Sequence, residues 1–121
     1  MATPDGPLQG QALLSAISDA MSALHERHYQ RPPGTAKTQM MGDDLLACVL
    51  GGVYTNVEKT LIELERAPLV TDNRNAFQLA MEDRFITAVE GLSGRRVAHF
   101  ISSHNVGPDL EVELFFLDDV T

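Results

Sequence analysis

The apolar positions of this chain change their spacing several times, and each change predicts a new element. From residue 8 onward apolar side chains recur every three or four positions, which predicts a helix of about five to six turns. The helix should end before the Arg-Pro-Pro-Gly stretch at 31–34, because a residue that precedes proline is pushed out of the helical region. The predicted apolar stripe of this first helix consists of Leu13, Ile17, Ala20, Met21, Leu24 and His28.

The spacing then shortens to two, as in β-strands. Residues 35–41 alternate loosely, and the turn-forming residues at 42–44 lead into an almost continuous apolar run at 45–50. This pattern predicts a β-hairpin. Since the second strand is apolar on both sides, both of its faces should be covered.

Two further helices follow the hairpin. Thr55 and Glu58 have the spacing of a capping box, in which each side chain bonds the other residue's backbone amide. The helix that they open carries Val57, Leu61 and Leu64 on one side and should break at 66–68. A third helix should begin near Thr71 or Asp72 and stop at Gly94. Its predicted buried stripe consists of Phe77, Met81, Phe85, Ala88 and Leu92.

The chain should close with a second hairpin. Strands are predicted at 96–102 and 110–117, joined by a turn over 104–109. In the last strand Leu110, Val112, Leu114 and Phe116 should share one face, with Glu111 and Glu113 on the opposite, polar face. The predicted class is therefore α+β, in the order α-β-β-α-α-β-β. One four-stranded, mainly antiparallel sheet should pack with three helices in a single domain over 8–121, after a disordered segment at 1–7.

Both faces of the predicted sheet carry apolar side chains. Burial of half a dozen such side chains contributes roughly 10 kcal/mol, so they are not expected to remain in water. Two arrangements satisfy this requirement equally well. Either helices cover both faces, or one face meets a second copy of the chain or another protein.

Composition excludes several classes of function. The 121 residues include 9 basic and 17 acidic side chains, which gives a net charge of −8 and opposes non-specific nucleic-acid binding. No apolar run approaches the roughly 20 residues of a membrane-spanning helix. A single cysteine and an N-terminus without secretory signal features predict a cytoplasmic protein.

No set of residues predicts a catalytic centre. His25 and His28 are three positions apart, whereas the zinc-protease motif separates its histidines by four, so a structural role is favoured over a metal site. Cys48 lies in the most apolar segment and should be an unreactive packing residue. The sequence therefore predicts a protein that is not an enzyme and that carries neither a cofactor nor a metal.

One arginine stands out. Arg74 lies near the start of the third helix, where the helix dipole disfavours positive charge, so an acidic partner is expected in the first helix or on another subunit. A pocket that binds a small ligand or an ion, lined by Arg74, Arg95, Arg96 and His104, is an alternative role for the basic residues.

Several blocks of sequence, in order, resemble the MpsC family. They are 43–45 through 51–55, the Glu-Lys-Thr-Leu at 58–61, 74–77, the Val-Glu-Gly-Leu-Ser-Gly-Arg at 89–95, and the final strand-turn-strand. The resemblance covers nearly the whole chain and implies a small accessory protein of a sodium-translocating membrane potential-generating system. The family residues that it transfers to this chain are Glu58, Arg74, Glu90, Gly94, Arg95 and Asp109.

Together these observations predict a non-enzymatic accessory or regulatory domain that binds other proteins. We expect it to form a homodimer or a higher oligomer, to bind no nucleic acid and not to span a membrane. The alternative is a small-ligand or ion-sensing domain with the arginine-lined pocket.

Overall fold

The computed structural model describes residues 7–105 and 109–118. Over these residues it has three α-helices and one four-stranded antiparallel sheet, which confirms the predicted α+β class and the order of its elements. The elements are α1 (Gly10–Tyr29), β1 (Thr35–Met41), β2 (Leu45–Gly51), α2 (Asn56–Glu63), α3 (Ala67–Ser93), β3 (Val97–Asn105) and β4 (Leu110–Leu117).

The sheet has the strand order β1-β2-β4-β3. The last strand, β4, therefore lies between β2 of the first hairpin and β3 of its own hairpin, and it pairs with both. Near the centre of β4, Glu113 has a cross-strand neighbour on each side, Cys48 on β2 and Ser102 on β3. The two central strands of the sheet are therefore β2 and β4.

All three helices lie on one face of the sheet. The helix α1 contacts β1 and β2, whereas α3 contacts α1, α2 and β3. Their apolar side chains form one core with the inward residues of β2 and β4, including Ile17, Met21, Leu46, Leu50, Phe85 and Phe115. The fold has two layers, and the arrangement with helices on both faces is wrong for the described residues.

The face assigned to β4 from its alternation is wrong as well. Glu111 and Glu113 point into the helix-covered layer and are 3% and 0% exposed, while Val112 and Leu114 point to the other side. An alternating strand specifies two faces but does not say which one will be covered. The covered face accepts the Glu111 carboxylate because it bonds the buried Arg74.

The third helix begins earlier than predicted. Pro68 lies in its first turn, where a missing N–H costs nothing, so the proline starts α3 rather than separating it from α2. The buried side of α3 includes Val70 and Arg74, whereas Phe77, which was predicted to be buried, is 42% exposed. In α2 the buried residue is Glu58. Of the predicted apolar face, Leu61 packs against the core, whereas Val57 and Leu64 are exposed.

The predicted placements of His28 and His104 are also wrong. His25 rather than His28 is the buried histidine of α1. His99 shares a face with Ile101 but is exposed, because a β-bulge between Val97 and His99 separates it from the core. His104 belongs to β3 and not to a turn, and residues 106–108 of the predicted turn lie outside the described range.

The segment at 1–7 was predicted to be disordered. Residues 1–6 lie outside the described residues, while Leu8 donates its amide hydrogen to the carbonyl of Leu92 at 2.8 Å. Pro7 lies beside Gly94, the left-handed residue that ends α3.

Two glycines near the end of α3 should respond in opposite ways to alanine. Gly94 has φ of +70°, and an added Cβ would come within 2.6 Å of Pro7, so we expect Gly94→Ala to destabilise the fold by at least about 1–2 kcal/mol. Gly91 lies inside the helix with open space around it, so Gly91→Ala should stabilise by up to about 1 kcal/mol. Chemical denaturation of both variants measures the difference, and equal effects would contradict this account of the helix end.

Candidate functional site

A buried ion-pair network joins three elements around Arg74. The guanidinium Nε and Nη2 donate to the two carboxylate oxygens of Glu58 at 2.7 and 2.6 Å, and Nη1 donates to Glu111. Nη2 also donates to the carbonyl oxygen of Val53 at 2.7 Å. At 2% exposure, Arg74 is almost completely removed from water. Its charge therefore connects α2, β4 and the segment before α2.

The capping box of α2 holds Glu58 in place for this contact. Glu58 accepts the amide of Thr55 at 2.8 Å, and the Thr55 hydroxyl accepts the amide of Glu58 at 3.2 Å, as the sequence predicts. Burial alone would raise the pKa of Glu58, but hydrogen bonds from Arg74 and from the Thr55 amide bring it below its ordinary value. The cap and the ion pair thus use the same carboxylate.

Asp109 fixes the same segment from the start of β4. One carboxylate oxygen of Asp109 accepts the amides of Val53 at 2.8 Å and Tyr54 at 3.2 Å. Asp109 itself has φ of +52°, a conformation that aspartate tolerates better than most residues. Three of the residues transferred from the family resemblance, Glu58, Arg74 and Asp109, therefore lie at one end of the molecule.

Two tyrosine rings lie against the guanidinium. The Arg74 Cζ atom is 4.1 Å from the ring centroid of Tyr29 and 5.1 Å from that of Tyr54, both within cation–π range. Burial raises the pKa of Tyr54 to about 12 and raises that of Tyr29 as well, so both phenols stay protonated. We call Arg74, Glu58, Glu111, Tyr29 and Tyr54 the Arg74 cluster.

A further carboxyl group lies beside this cluster without a cation. Glu113 is two positions from Glu111 on the same face of β4, and Arg74 bonds Glu58 and Glu111. One Glu113 oxygen has a long contact of 3.4 Å with the amide of Gln78, and the other has no hydrogen-bond partner in the described structure. Burial raises the pKa of Glu113 well above its ordinary value.

Partnerless polar atoms concentrate around the cluster. In the described residues, the buried side-chain atoms without a hydrogen bond are His25 Nε2, Tyr29 OH, Tyr54 OH, His104 Nε2 and Glu113 Oε1. Buried polar groups normally have partners, and an internal water is the usual partner when protein atoms do not supply one. A cavity of about 20 Å³ beside Arg74 has room for one water, and its lining includes Asn75, Gln78, Ser102, His104 and Glu111.

The structure separates the four residues of the predicted arginine-lined pocket. Arg74 and His104 line the same small cavity. Arg95 and Arg96 lie beyond the other end of α3, about 30 Å along that helix from Arg74. There Arg95 donates to the backbone carbonyls of Asp118 and Asp43, and Arg96 forms an exposed ion pair with Asp118.

The remaining residues from the family resemblance shape that second end. Glu90 accepts the amide of Val97 at 2.9 Å and so ties the end of α3 to the start of β3. Gly94 adopts the left-handed conformation that ends the helix, and Arg95 links the β1–β2 turn at Asp43 to Asp118, just after β4. The six transferred residues therefore form two groups at opposite ends of the fold, and each has a structural contact.

The opposite side of the sheet is apolar and bears no helix of the described chain. Three cross-strand rows of four outward side chains make up this surface, which we call the open face. The two central strands supply its middle, and Ile101 on β3 is 51% exposed. The rows are Met41-Leu45-Phe116-His99, Gln39-Ala47-Leu114-Ile101 and Lys37-Val49-Val112-Ser103.

Among the described residues, the histidines of α1 have structural contacts rather than a metal site. No group of three or more His, Cys, Asp or Glu side chains there is arranged to hold a metal ion. His25 Nδ1 instead contacts the carbonyl oxygen of Arg31 at 2.9 Å, and His28 contacts Arg84 at 3.1 Å. Within that same part of the chain, every helix is too short or too polar to cross a membrane.

Sequence reasoning identified Arg74 as unusual but missed most of its surroundings. Glu111 and Glu113 were assigned to a solvent-facing side, and Tyr29 and Tyr54 were not considered. One signal was present, since a cation at a helix start needs compensating acids. The partners come from α2 and β4 rather than from the first helix.

These features define a small two-layer α+β domain with an ion-paired interior and one apolar sheet face. Comparison with known families then gives a specific assignment. A family described as "Na+-translocating membrane potential-generating system (MpsC)" matches residues 9–119, and the chain belongs to this MpsC family. That description links the chain to a sodium-translocating membrane potential-generating system. No curated protein and no solved structure matches the chain significantly.

Proposed function

We propose that this protein is a non-enzymatic, cytoplasmic accessory domain of such a system and that it works as a homodimer joined through the open face. The observation that carries the proposal is the open face itself. Its central side chains on β2 and β4 are all apolar, and contiguous apolar surface of this kind marks interaction sites.

The charge distribution favours a second copy as the occupant of the open face. The chain has 17 acidic residues, yet the three rows contain no acid and one permanent charge, on Lys37. Two copies would therefore meet without repulsion between carboxylates at the contact. A strongly basic partner would instead be attracted to the acidic surfaces elsewhere on the molecule.

The strand order also suits a two-fold symmetric contact. A two-fold axis parallel to the strands, between β2 and β4, would place β2 of one copy over β4 of the other. The same rotation places β1 of one copy over β3 of the other. Lys37 of one copy would therefore face Ser103 of the other copy and not a second lysine. Facing sheets pack about 10 Å apart with interdigitated side chains, which the apolar centre permits.

The state of the most reactive side chains supports a non-enzymatic role. Arg74 is committed to Glu58, Glu111 and a backbone carbonyl. Burial raises the pKa of Cys48 to about 11, which keeps this thiol protonated and poorly nucleophilic. A reduced, buried cysteine also agrees with the proposed cytoplasmic location.

The alternative function, a small-ligand domain with an arginine-lined pocket, has less support. Arg95 and Arg96 bond to other residues at the far end of α3. The cavity that Arg74 and His104 share has a volume of about 20 Å³, which suits a water-sized guest rather than an organic ligand.

The dimer proposal is tested by the mass of the protein in solution and by one substitution on each layer. Ile101→Lys places a charge on the open face and, by symmetry, adds two lysines to each dimer. We expect it to weaken dimerisation by at least about 100-fold, because each ammonium group would be buried without a partner. Light scattering coupled to gel filtration measures the change.

Leu79→Lys is the matched control, since Leu79 is an exposed apolar residue of the helical layer with 77% exposure. The control should keep the mass of the unmodified dimer. A monomeric unmodified protein, or dissociation by Leu79→Lys and not by Ile101→Lys, would refute the proposal.

A further inference from the structure

Arg74 attaches helix α2 to the rest of the fold. Of its eight residues Glu58 is the buried one, and Val57 and Leu64 are 71% and 63% exposed. Leu61 and Ile62 pack against the core but remain partly exposed. Arg74 holds both the Glu58 carboxylate and the carbonyl of Val53, just before the helix. Anything that draws Arg74 away would therefore loosen α2.

Glu113 is placed to exert such a pull. It lies about 7 Å along β4 from Glu111, the other partner of Arg74, and on the same face. Gln78, whose amide approaches Glu113 at 3.4 Å, is one helical turn from Arg74 on α3. Tyr29 contacts the guanidinium of Arg74, with 4.1 Å between Cζ and the ring centroid.

The geometry favours the neutral form of Glu113 in the packed state. Glu113 is 0% exposed and has one oxygen without a hydrogen-bond partner in the described structure, and Arg74, which bonds the adjacent Glu111, is already shared by Glu58 and Glu111. An unpaired carboxylate in such surroundings is costly unless it binds a proton. Glu111 on β4, Cys48 on β2 and Tyr29 on α1 interact electrostatically with Glu113, and the Ser102 hydroxyl on β3 is its cross-strand neighbour. Arg74 on α3 bonds the adjacent Glu111.

We propose that Glu113 is a proton-operated switch that controls the attachment of α2. With Glu113 protonated, Arg74 binds Glu58 and Glu111 and holds the helix. Loss of the proton places a second negative charge on β4, which attracts Arg74 toward the sheet and weakens its bonds to Glu58 and Val53. The chemical ligand of this site is thus a proton, and the response is the release of α2 with its exposed apolar residues. The switch does not depend on the dimer.

Hydrogen–deuterium exchange of α2 tests the switch. We expect protection of the α2 amides, corrected for intrinsic exchange rates, to fall at least tenfold between about pH 6 and about pH 10 in the unmodified protein. In Glu113→Gln, which cannot ionise, α2 protection should stay constant over the same range. Asp83→Asn removes an exposed carboxyl of α3 and should behave like the unmodified protein.

A carboxyl carbon NMR titration of the unmodified protein keeps the test independent of the variant's folding. The Glu113 resonance and the α2 amide resonances should titrate with one shared midpoint above the ordinary glutamate range. Constant α2 protection in the unmodified protein, an equal loss in Glu113→Gln, or a Glu113 midpoint in the ordinary range would each overturn the proposal.

Discussion

Replacement of Arg74 by methionine should destabilise the fold by about 3–5 kcal/mol, because it leaves Glu58 and Glu111 buried without their cation. The loss is large beside the total stability of about 5–15 kcal/mol that is usual for a domain. Equilibrium urea denaturation measures it. Far-ultraviolet circular dichroism at low denaturant would show whether the variant still folds.

The control for this substitution lies on the same helix. Arg84→Met removes an exposed arginine from α3 and should change stability by no more than about 1 kcal/mol. Addition of Glu58→Gln and Glu111→Gln to Arg74→Met should restore part of the loss, since neutral side chains no longer need the cation. A loss below about 1 kcal/mol for Arg74→Met would show that the network does not hold the domain together.

The second large effect is a dependence of stability on pH that originates at Glu113. Its pKa is raised in the folded protein, so the folded state holds a proton that the unfolded chain releases at the ordinary glutamate pKa. The free energy of unfolding should therefore fall as pH rises from about 4.5 to the raised pKa of the folded state. In that window the free energy of unfolding should fall by about 1.4 kcal/mol per pH unit. The stabilisation that the bound proton provides is fully lost above the raised pKa.

Glu113→Gln isolates this contribution. The difference in unfolding free energy between Glu113→Gln and the unmodified protein should grow with pH in favour of the variant. The lowered pKa of Glu58 acts in the opposite direction and at lower pH, since its stabilisation is lost as the solution becomes acidic. Urea midpoints measured for both proteins across the range give the difference, and a constant gap would contradict the assignment of a protonated Glu113.

The chain of elements was predictable because its local signals agree with one another. The Thr55–Glu58 capping box, the turn residues between the strands and the terminal Gly94 each specify a boundary that the structure confirms. The start of α3 was missed because Pro68 can either end one helix or begin the next, and only the position of neighbouring elements decides between them.

The site was only partly predictable, for a different physical reason. Alternation in β4 divides its residues into two faces, but coverage of a face depends on Arg74 from a distant part of the chain. Once Arg74 is buried, the Glu111 carboxylate is more stable on the covered face than its polarity alone suggests. Glu113 lies on that face because it is two positions along the same strand. Polarity alone thus misplaced Glu111 and Glu113, whereas the unfavourable position of Arg74 at a helix start correctly indicated acidic partners.

If a second copy of the chain covers the open face, side chains of the two copies must lie within a few ångströms of each other, and these contacts can be observed in solution. In a sample that mixes isotopically labelled and unlabelled protein, filtered nuclear Overhauser spectra record only contacts between copies. The account predicts cross-peaks between the methyl groups of Val49 and Leu45 of one copy and those of Val112 and Leu114 of the other. A homogeneous monomer without such cross-peaks, or cross-peaks confined to the helical layer, would contradict it.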